Sequence, residues 1–318
     1  MLSDVLYQDE AVSFLRRVVE GHLTNPLLLF GVEGVGRRYA ALQTTRELFC
    51  TGDRSSACSC VDCLQINQGV HPDLLVLAPQ DGKDIGVDAA RSLIAAIDTY
   101  PTQSPLRVFV IDGADRLTIP AANALLKTLE EPPATARIFL LAESSMRVLP
   151  TIRSRCGALN FRPLPEDFVC SKVQQFEKDV TKALVYARLG EGSVGRAIQY
   201  WGSGRLTLRD KALTLLTSAL AKDVAGVFLL LDQLDKDLPL TLRFLDTLVH
   251  DLLVLDVDEA RVLNLDVKDA LRKMRPPSSA TWQTLHQGLD AMLAKARTTK
   301  IQLAFHAKTL LLETFVGA

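Results

Sequence analysis

Apolar positions along the chain follow two kinds of pattern, and the change from one to the other divides it. In residues 8 to 23, Ala11, Phe14, Leu15, Val18 and Val19 recur at the spacing of one face of an amphipathic helix. Short, almost wholly apolar runs follow: LLLF from Leu27, Leu74 to Leu77, RVFVID at Arg107 to Asp112, RIFLLA at Arg137 to Ala142, and Ala158 to Phe161. Runs with no polar face predict strands of a parallel sheet covered on both sides. Helical stretches at Tyr39 to Cys50, Ala89 to Asp98 and Ala121 to Glu131 separate them. The alternation predicts a doubly wound α/β unit, with a loop at the carboxyl end of its first strand. From Pro163 the pattern turns helical and stays so. EDFVCSKVQQF and TKALVYARLGEGSVGRAIQYW predict a small helical module ending near Arg205, in which Gly192 and Gly195 bracket a turn and Arg196 begins the next helix. From Leu206 onward amphipathic helices are interrupted at Pro239, Pro276 and Pro277. Stripes such as Leu215, Leu216, Leu220 and Leu229 to Leu231 read as the core of a bundle.

Composition narrows the class. A chain of 318 residues is too long for one compact core and suggests two or three domains. With 48% hydrophobic and 23% charged residues it reads as an ordinary globular protein, and a net charge of −1 excludes a polycation that binds nucleic acid by bulk charge. The absence of 18 consecutive apolar residues and of a basic start followed by an apolar core argues against membrane spans and a signal peptide, so a cytoplasmic location is expected.

Six cysteines do not make a disulfide scaffold in a chain of this length, and four of them, Cys50, Cys58, Cys60 and Cys63, fall within fourteen residues. Four thiolates are the complement of a closed, tetrahedral structural zinc. The Cys-x-Cys step departs from paired Cys-x-x-Cys knuckles, and scattered reduced thiols are the other reading. His71, in HPD, is close enough to substitute as a ligand but reads better as a polar turn residue before a strand.

The loop GVEGVGRR carries the remaining chemistry. Gly31 to Gly36, with Gly34 between them, supply the frame of a phosphate-binding loop. Arg37 stands where a lysine would reach the β and γ phosphates, and Arg38 where a hydroxyl would ligate Mg²⁺. A plain strand-to-helix turn is the alternative, since glycine allows positive φ there. Asp112 ends a buried strand where such proteins place a Mg²⁺-associated aspartate, but the next residue is Gly113 and not a water-activating glutamate. Downstream, TIPAANALLKTLEEPP opens with the cap-like Thr118 and Pro120, puts Leu125, Leu126 and Leu129 on one face, and stops at Pro132 and Pro133. Ser154, Arg155 and Cys156 precede the last strand.

Together, GVEGVGRR, the cysteine cluster, HPD, Asp112, NALLKTLEEPP, SRC and GSVGRA at 192 to 197 resemble the clamp-loader subunits of bacterial DNA polymerase III, an AAA+ family. The resemblance covers roughly residues 8 to 200. It implies an α/β P-loop (AAA+) domain over 1–163 with a zinc-ribbon insertion at 50–63, a helical lid over 164–205, and an all-α collar over 206–318 that oligomerises. Of the two kinds of subunit sharing these motifs, the chain looks like the delta-prime type, which has lost the intact loop and the Asp-Glu pair of the hydrolysing motor. Gly31, Gly34, Gly36, Arg37, Arg38, Asp112 and Arg196, the second-sensor position, then form a degenerate nucleotide site in which ATP binding is not expected. Arg155 is then a finger offered to the ATP of a neighbouring motor. The implied partners are motor subunits, a delta subunit, the sliding clamp and primer-template DNA. A motor subunit with Arg37 in place of lysine is the rival within the family, and a free-standing DNA-binding zinc protein the rival outside it.

Overall fold

A computed structural model of the chain describes residues 1–80, 83–274, 279–296 and 302–315. The expected breaks at Pro276 and Pro277 lie outside the described residues. The chain forms two compact units, Met1–Pro165 and Glu166–Ala318.

In the first unit helix α1 (Asp9–Val19) precedes β1 (Leu27–Phe30), and α2 (Arg37–Phe49) and α3 (Val61–Gln68) lead to β2 (Leu74–Leu77). Next come α4 (Val87–Ile97), β3 (Arg107–Asp112), α5 (Ile119–Glu130), β4 (Ala136–Ala142), the single turn α6 (Pro150–Arg153) and β5 (Gly157–Asn160). All five strands are parallel, in the order β2-β3-β4-β1-β5.

The apolar runs lack a polar face because both sides of the sheet are covered. Leu27 and Leu29 of β1 join Val108, Val110, Phe139 and Leu141 in a core under α1 and α2. Leu28, facing the other way by the period-two alternation of a strand, joins Phe109, Ile111, Ile138 and Leu140 under α4 and α5. Thr118 caps α5 by accepting the Ala121 N–H, and Pro120 stands in its first turn, where a missing N–H costs nothing.

The second unit is helical: α7 (Glu166–Val173), α8 (Val180–Leu189), α9 (Val194–Gly202), α10 (Leu206–Leu220), α11 (Val224–Leu234), α12 (Leu238–Val254), α13 (Lys268–Lys273), α14 (Ser279–Ala296) and α15 (Leu303–Phe315). Pro239 opens α12 in its first turn, so it starts that helix. Helix α12 is the centre of the bundle, with Leu242, Phe244, Leu245, Leu248 and Val249 buried. Leu215, Leu216 and Leu231 are buried as the stripe predicted, but Leu229 is 61% exposed, because three consecutive leucines span more than one helix face. Ser193 caps α9 by accepting the Arg196 N–H, so that helix begins at Val194 and takes in Gly195, for which the sequence predicts a turn position.

Candidate functional site: a phosphate-loop edge, a thiol cluster and an arginine at the far edge

The loops following β1, β3 and β4 meet at the carboxyl edge of the sheet, where open parallel sheets build ligand sites. Gly31 donates its N–H to the Ala142 carbonyl, and a Cβ there would stand 2.3 Å from the Phe161 carbonyl oxygen, so only glycine fits. Gly36 has φ +106° and lets α2 begin at Arg37, two residues before the start predicted at Tyr39.

The cleft at this edge is lined by Glu33, Arg37, Asp112, Asp115, Glu143 and Arg147. Burial lowers the pKa of Arg37, and the carboxylates of Asp112, Glu143, Asp115 and Glu33 act against that. Arg38 Nη1 lies 3.2 Å from Asp112 Oδ2, so a guanidinium sits against the carboxylate expected to face Mg²⁺. Arg147 bridges Asp115 at 3.1 Å and Glu143. Gly113 has φ +101°, and a Cβ there would meet Pro79 Cγ at 3.0 Å. Of the residues expected from sequence, Gly34, Gly36, Arg37, Arg38 and Asp112 line one cleft, and Gly31 opens the same loop. Glu143, Asp115 and Arg147 line the same cleft; GAD immediately after β3 is the sequence signal for Asp115, and no local pattern marks Glu143 or Arg147. Arg196 belongs to the helical unit, where its Nη1 donates to Glu191 at 2.7 Å and Arg243 pairs with the same carboxylate oxygen.

At the opposite end of α2 the four cysteines converge, their sulfurs all within 4.8 Å of one another. Cys50 caps the end of α2, Cys60 is the N-cap of α3 and Cys63 sits in the first turn of α3. The segment is therefore a loop closed by a helix and contains no strand, unlike the ribbon expected from sequence; the helix brings in Cys63 three residues after Cys60. Cys50 Sγ lies 3.6 Å from Cys58 Sγ and 4.0 Å from Cys60 Sγ. Both bracket the roughly 3.8 Å expected between ligands of a tetrahedral ion with bonds of about 2.3 Å to sulfur. Gly52 is needed for this approach, since a Cβ would lie 2.6 Å from Cys58 Sγ. Burial would raise the Cys60 thiol, yet hydrogen bonds from Cys63 and Thr51 pull it down to about 6, whereas burial and the Cys60 sulfur push Cys63 up to about 12. Arg46, buried at 5% exposure, makes no salt bridge among the described residues, and its guanidinium acts on the Cys63 thiol to favour thiolate.

His71 does not substitute for a cysteine at the thiol cluster, since both its ring nitrogens are engaged elsewhere. Its Nδ1 accepts the Asp73 N–H at 3.1 Å, which leaves Nε2 to donate to Asp62 Oδ1 at 3.2 Å on α3. Asp73 is fully buried, and its carboxylate accepts the N–H groups of Thr102, Gln103 and Ser104 at 2.7, 2.7 and 2.8 Å. Burial would raise the pKa of this carboxylate, but those donors and Arg107 hold it below the usual range. HPD thus ties the cysteine module and the loop before β3 to the sheet, beyond the turn role read from sequence.

Arg155 lies at the amino edge of the sheet. It precedes Gly157, which pairs with Leu27 at the start of β1, whereas the glycine loop follows the end of β1. Its Nε donates to Glu130 Oε1 at 2.8 Å, Nη2 reaches the same oxygen, and Nη1 donates to the Thr151 carbonyl at 2.8 Å. No helix among the described residues is long and apolar enough to cross a membrane.

Residues 7–165 match the family described as DNA polymerase III, delta subunit. The delta-prime subunit of DNA polymerase III from Escherichia coli is 34% identical over 257 residues, covering 78% of this chain and 74% of that protein. The delta-prime subunit from Bacillus subtilis is 34% identical over 165 residues, covering 52% of this chain and about half (49%) of that protein. A gamma-subunit-related protein of DNA polymerase III from Thermotoga maritima shares the fold, with a TM-score of 0.57, 20% identity and coverage of 96% of this chain and 98% of that one. On the family match and the extent of the Escherichia coli relative, the chain belongs to the delta-prime subunits of bacterial DNA polymerase III.

Proposed function

We propose that this chain serves in the sliding-clamp loader as a member that hydrolyses no ATP of its own and completes the ATP site of a neighbouring motor subunit through Arg155. The observation that carries the reading is the separation of the two arginine sites. Arg155 stands at the amino edge of the sheet and the glycine loop at the carboxyl edge, so this arginine cannot serve its own loop and is available to another chain's. A finger of this kind stabilises charge on the transferring phosphoryl group and is worth ~10³ to 10⁵ in rate.

The loop edge supports the first half of the reading. The Arg38 guanidinium faces Asp112 where a metal would be expected, and Gly113 holds a backbone conformation that disfavours a glutamate. Four carboxylates around Arg37 offset the charge that would attract a nucleotide phosphate. These features favour the delta-prime reading over a motor with Arg37 in the lysine's place, because phosphate clamp, metal site and water activator are altered together. Arg196, held by Glu191, then acts as a contact within the lid.

The thiol cluster is proposed to hold one structural zinc through Cys50, Cys58, Cys60 and Cys63. When bound, the ion supplies cross-linking of α2 to α3 and no chemistry. The buried Arg46 supports this assignment, because a zinc tetrathiolate carries negative charge beside that cation. Within the helical unit, 164–205 is proposed as a lid and 206–318 as a collar that meets the motor and delta subunits. The clamp and primer-template DNA are engaged through the assembled loader, in the cytoplasm.

The test is a loader reconstituted with Arg155→Ala. ATP turnover stimulated by clamp and primer-template DNA falls at the one motor site that Arg155 completes, by ~10³ there, while gel filtration shows an intact assembly. Full turnover in that loader removes the finger role.

A further inference from the structure

The guanidinium of Arg155 is held in place while remaining accessible. An arginine side chain has many rotamers and sweeps a wide volume when free. Here Nε and Nη2 both donate to Glu130 Oε1, and Nη1 donates to the Thr151 carbonyl and to Ser154 Oγ. Every nitrogen has an acceptor, yet the side chain keeps 30% of its surface exposed.

Glu130 is the last residue of α5, directly before Glu131 and the two prolines that stop the helix. A carboxylate at a helix C-terminus faces the negative end of the helix dipole and is unfavourable there by itself. Pairing with Arg155, twenty-five residues further along, offsets that cost. Helix α5 is in turn fixed to the sheet by Ala121, Ala122, Leu125 and Leu129, all buried, so the acceptor that orients the guanidinium stands on a rigid element.

We propose that Glu130 is a positioning residue for the finger: its side-on pairing with Nε and Nη2 fixes the guanidinium in advance and lowers the reorganisation needed when a neighbour's phosphate arrives. The inference rests on the reading of Arg155 as a finger. A preorganised donor is worth more than a mobile one because its orienting cost is already met before the charge develops.

The experiment compares Glu130→Ala, Glu130→Gln, Arg155→Ala and the Arg155→Ala/Glu130→Ala double variant in the reconstituted loader, each checked for assembly by gel filtration. Clamp- and DNA-stimulated kcat of Glu130→Ala is expected to fall about tenfold, equivalent to ~1.4 kcal/mol of barrier, with KM for ATP unchanged. Glu130→Gln, which keeps an acceptor oxygen for Nε and Nη2, should recover most of that loss. The double variant should be no slower than Arg155→Ala alone. Wild-type or faster turnover in Glu130→Ala, with Arg155→Ala inactive, overturns the positioning role and leaves the finger standing. A further loss in the double variant also overturns it, since Glu130 would then act other than through Arg155. Full turnover in Arg155→Ala removes the finger and the inference with it.

Discussion

Each edge of the first unit's sheet carries an arginine facing a carboxylate, and the two pairs differ in what they leave open. At the carboxyl edge, Arg38 and Asp112 are 3.2 Å apart, and the carboxylate so engaged is the one a metal would need. At the amino edge, Glu130 accepts from two nitrogens of Arg155 with a single oxygen, and a carbonyl from α6 takes the third. On the proposed reading the first pair sets a guanidinium where a metal would otherwise approach Asp112. The second orients a cation toward solvent. Charge pairing alone therefore says little about function; which group the pair occupies decides it.

Helix α2 joins the loop edge to the thiol cluster, so removing the proposed metal is the largest perturbation of that comparison. Chelation at neutral pH is expected to release one zinc per chain and to lower the melting temperature of the first unit by more than any single substitution, because structural zinc binding is folding free energy. Metal analysis and calorimetry on one sample check this. A chain that carries no zinc as purified and melts unchanged with chelator contradicts the tetrathiolate assignment.

Asp73→Ala strips the acceptor from three backbone N–H groups at once. Each buried donor left unpaired costs about 1–3 kcal/mol, so a loss of about 3 kcal/mol in chemical denaturation is expected. The same carboxylate gives a pH dependence. Its folded pKa is depressed, so its stabilisation is complete above the unfolded value of about 3.9 and is lost as pH falls from there through the lower folded value. Asp73→Asn should flatten this acid limb, and an unchanged limb would assign it to other groups.

Gly113→Glu tests whether the loop edge lacks only a side chain. At φ +101°, with a Cβ 3.0 Å from Pro79, a glutamate is strained, and a loss of about 1–2 kcal/mol is expected with no ATP turnover gained. Turnover appearing in this variant would show the edge to be one residue short of a motor. The smallest effect is expected for Arg38→Ser. Arg38 is more than half exposed, so stability should change by less than about 0.5 kcal/mol, and loader turnover should stay at wild type. A large fall in turnover would erase the contrast between the edges.

The sheet was legible because each strand carries its own signal. RVFVID was read as Arg107 to Asp112 and forms β3 over those residues, since a run buried on both faces needs no partner to be recognised. Boundaries moved where backbone freedom decides them, as at Gly36, whose left-handed conformation starts α2 at Arg37. The four cysteines were legible as a group from their spacing, but the helix that delivers Cys60 and Cys63 was not, because VDCLQINQ has no clear apolar stripe. Pairings between distant residues were invisible to local pattern. Glu130 with Arg155, Arg38 with Asp112 and His71 with Asp62 are each set by how strands and helices meet in space.

Whether the carboxyl edge is idle is tested most directly by Mg·ATP binding and hydrolysis by the purified chain alone. No turnover above background and no magnesium-dependent nucleotide binding are expected. Steady turnover that Arg37→Ala abolishes would contradict this, and would make the carboxyl edge a working site with Arg37 as its phosphate clamp.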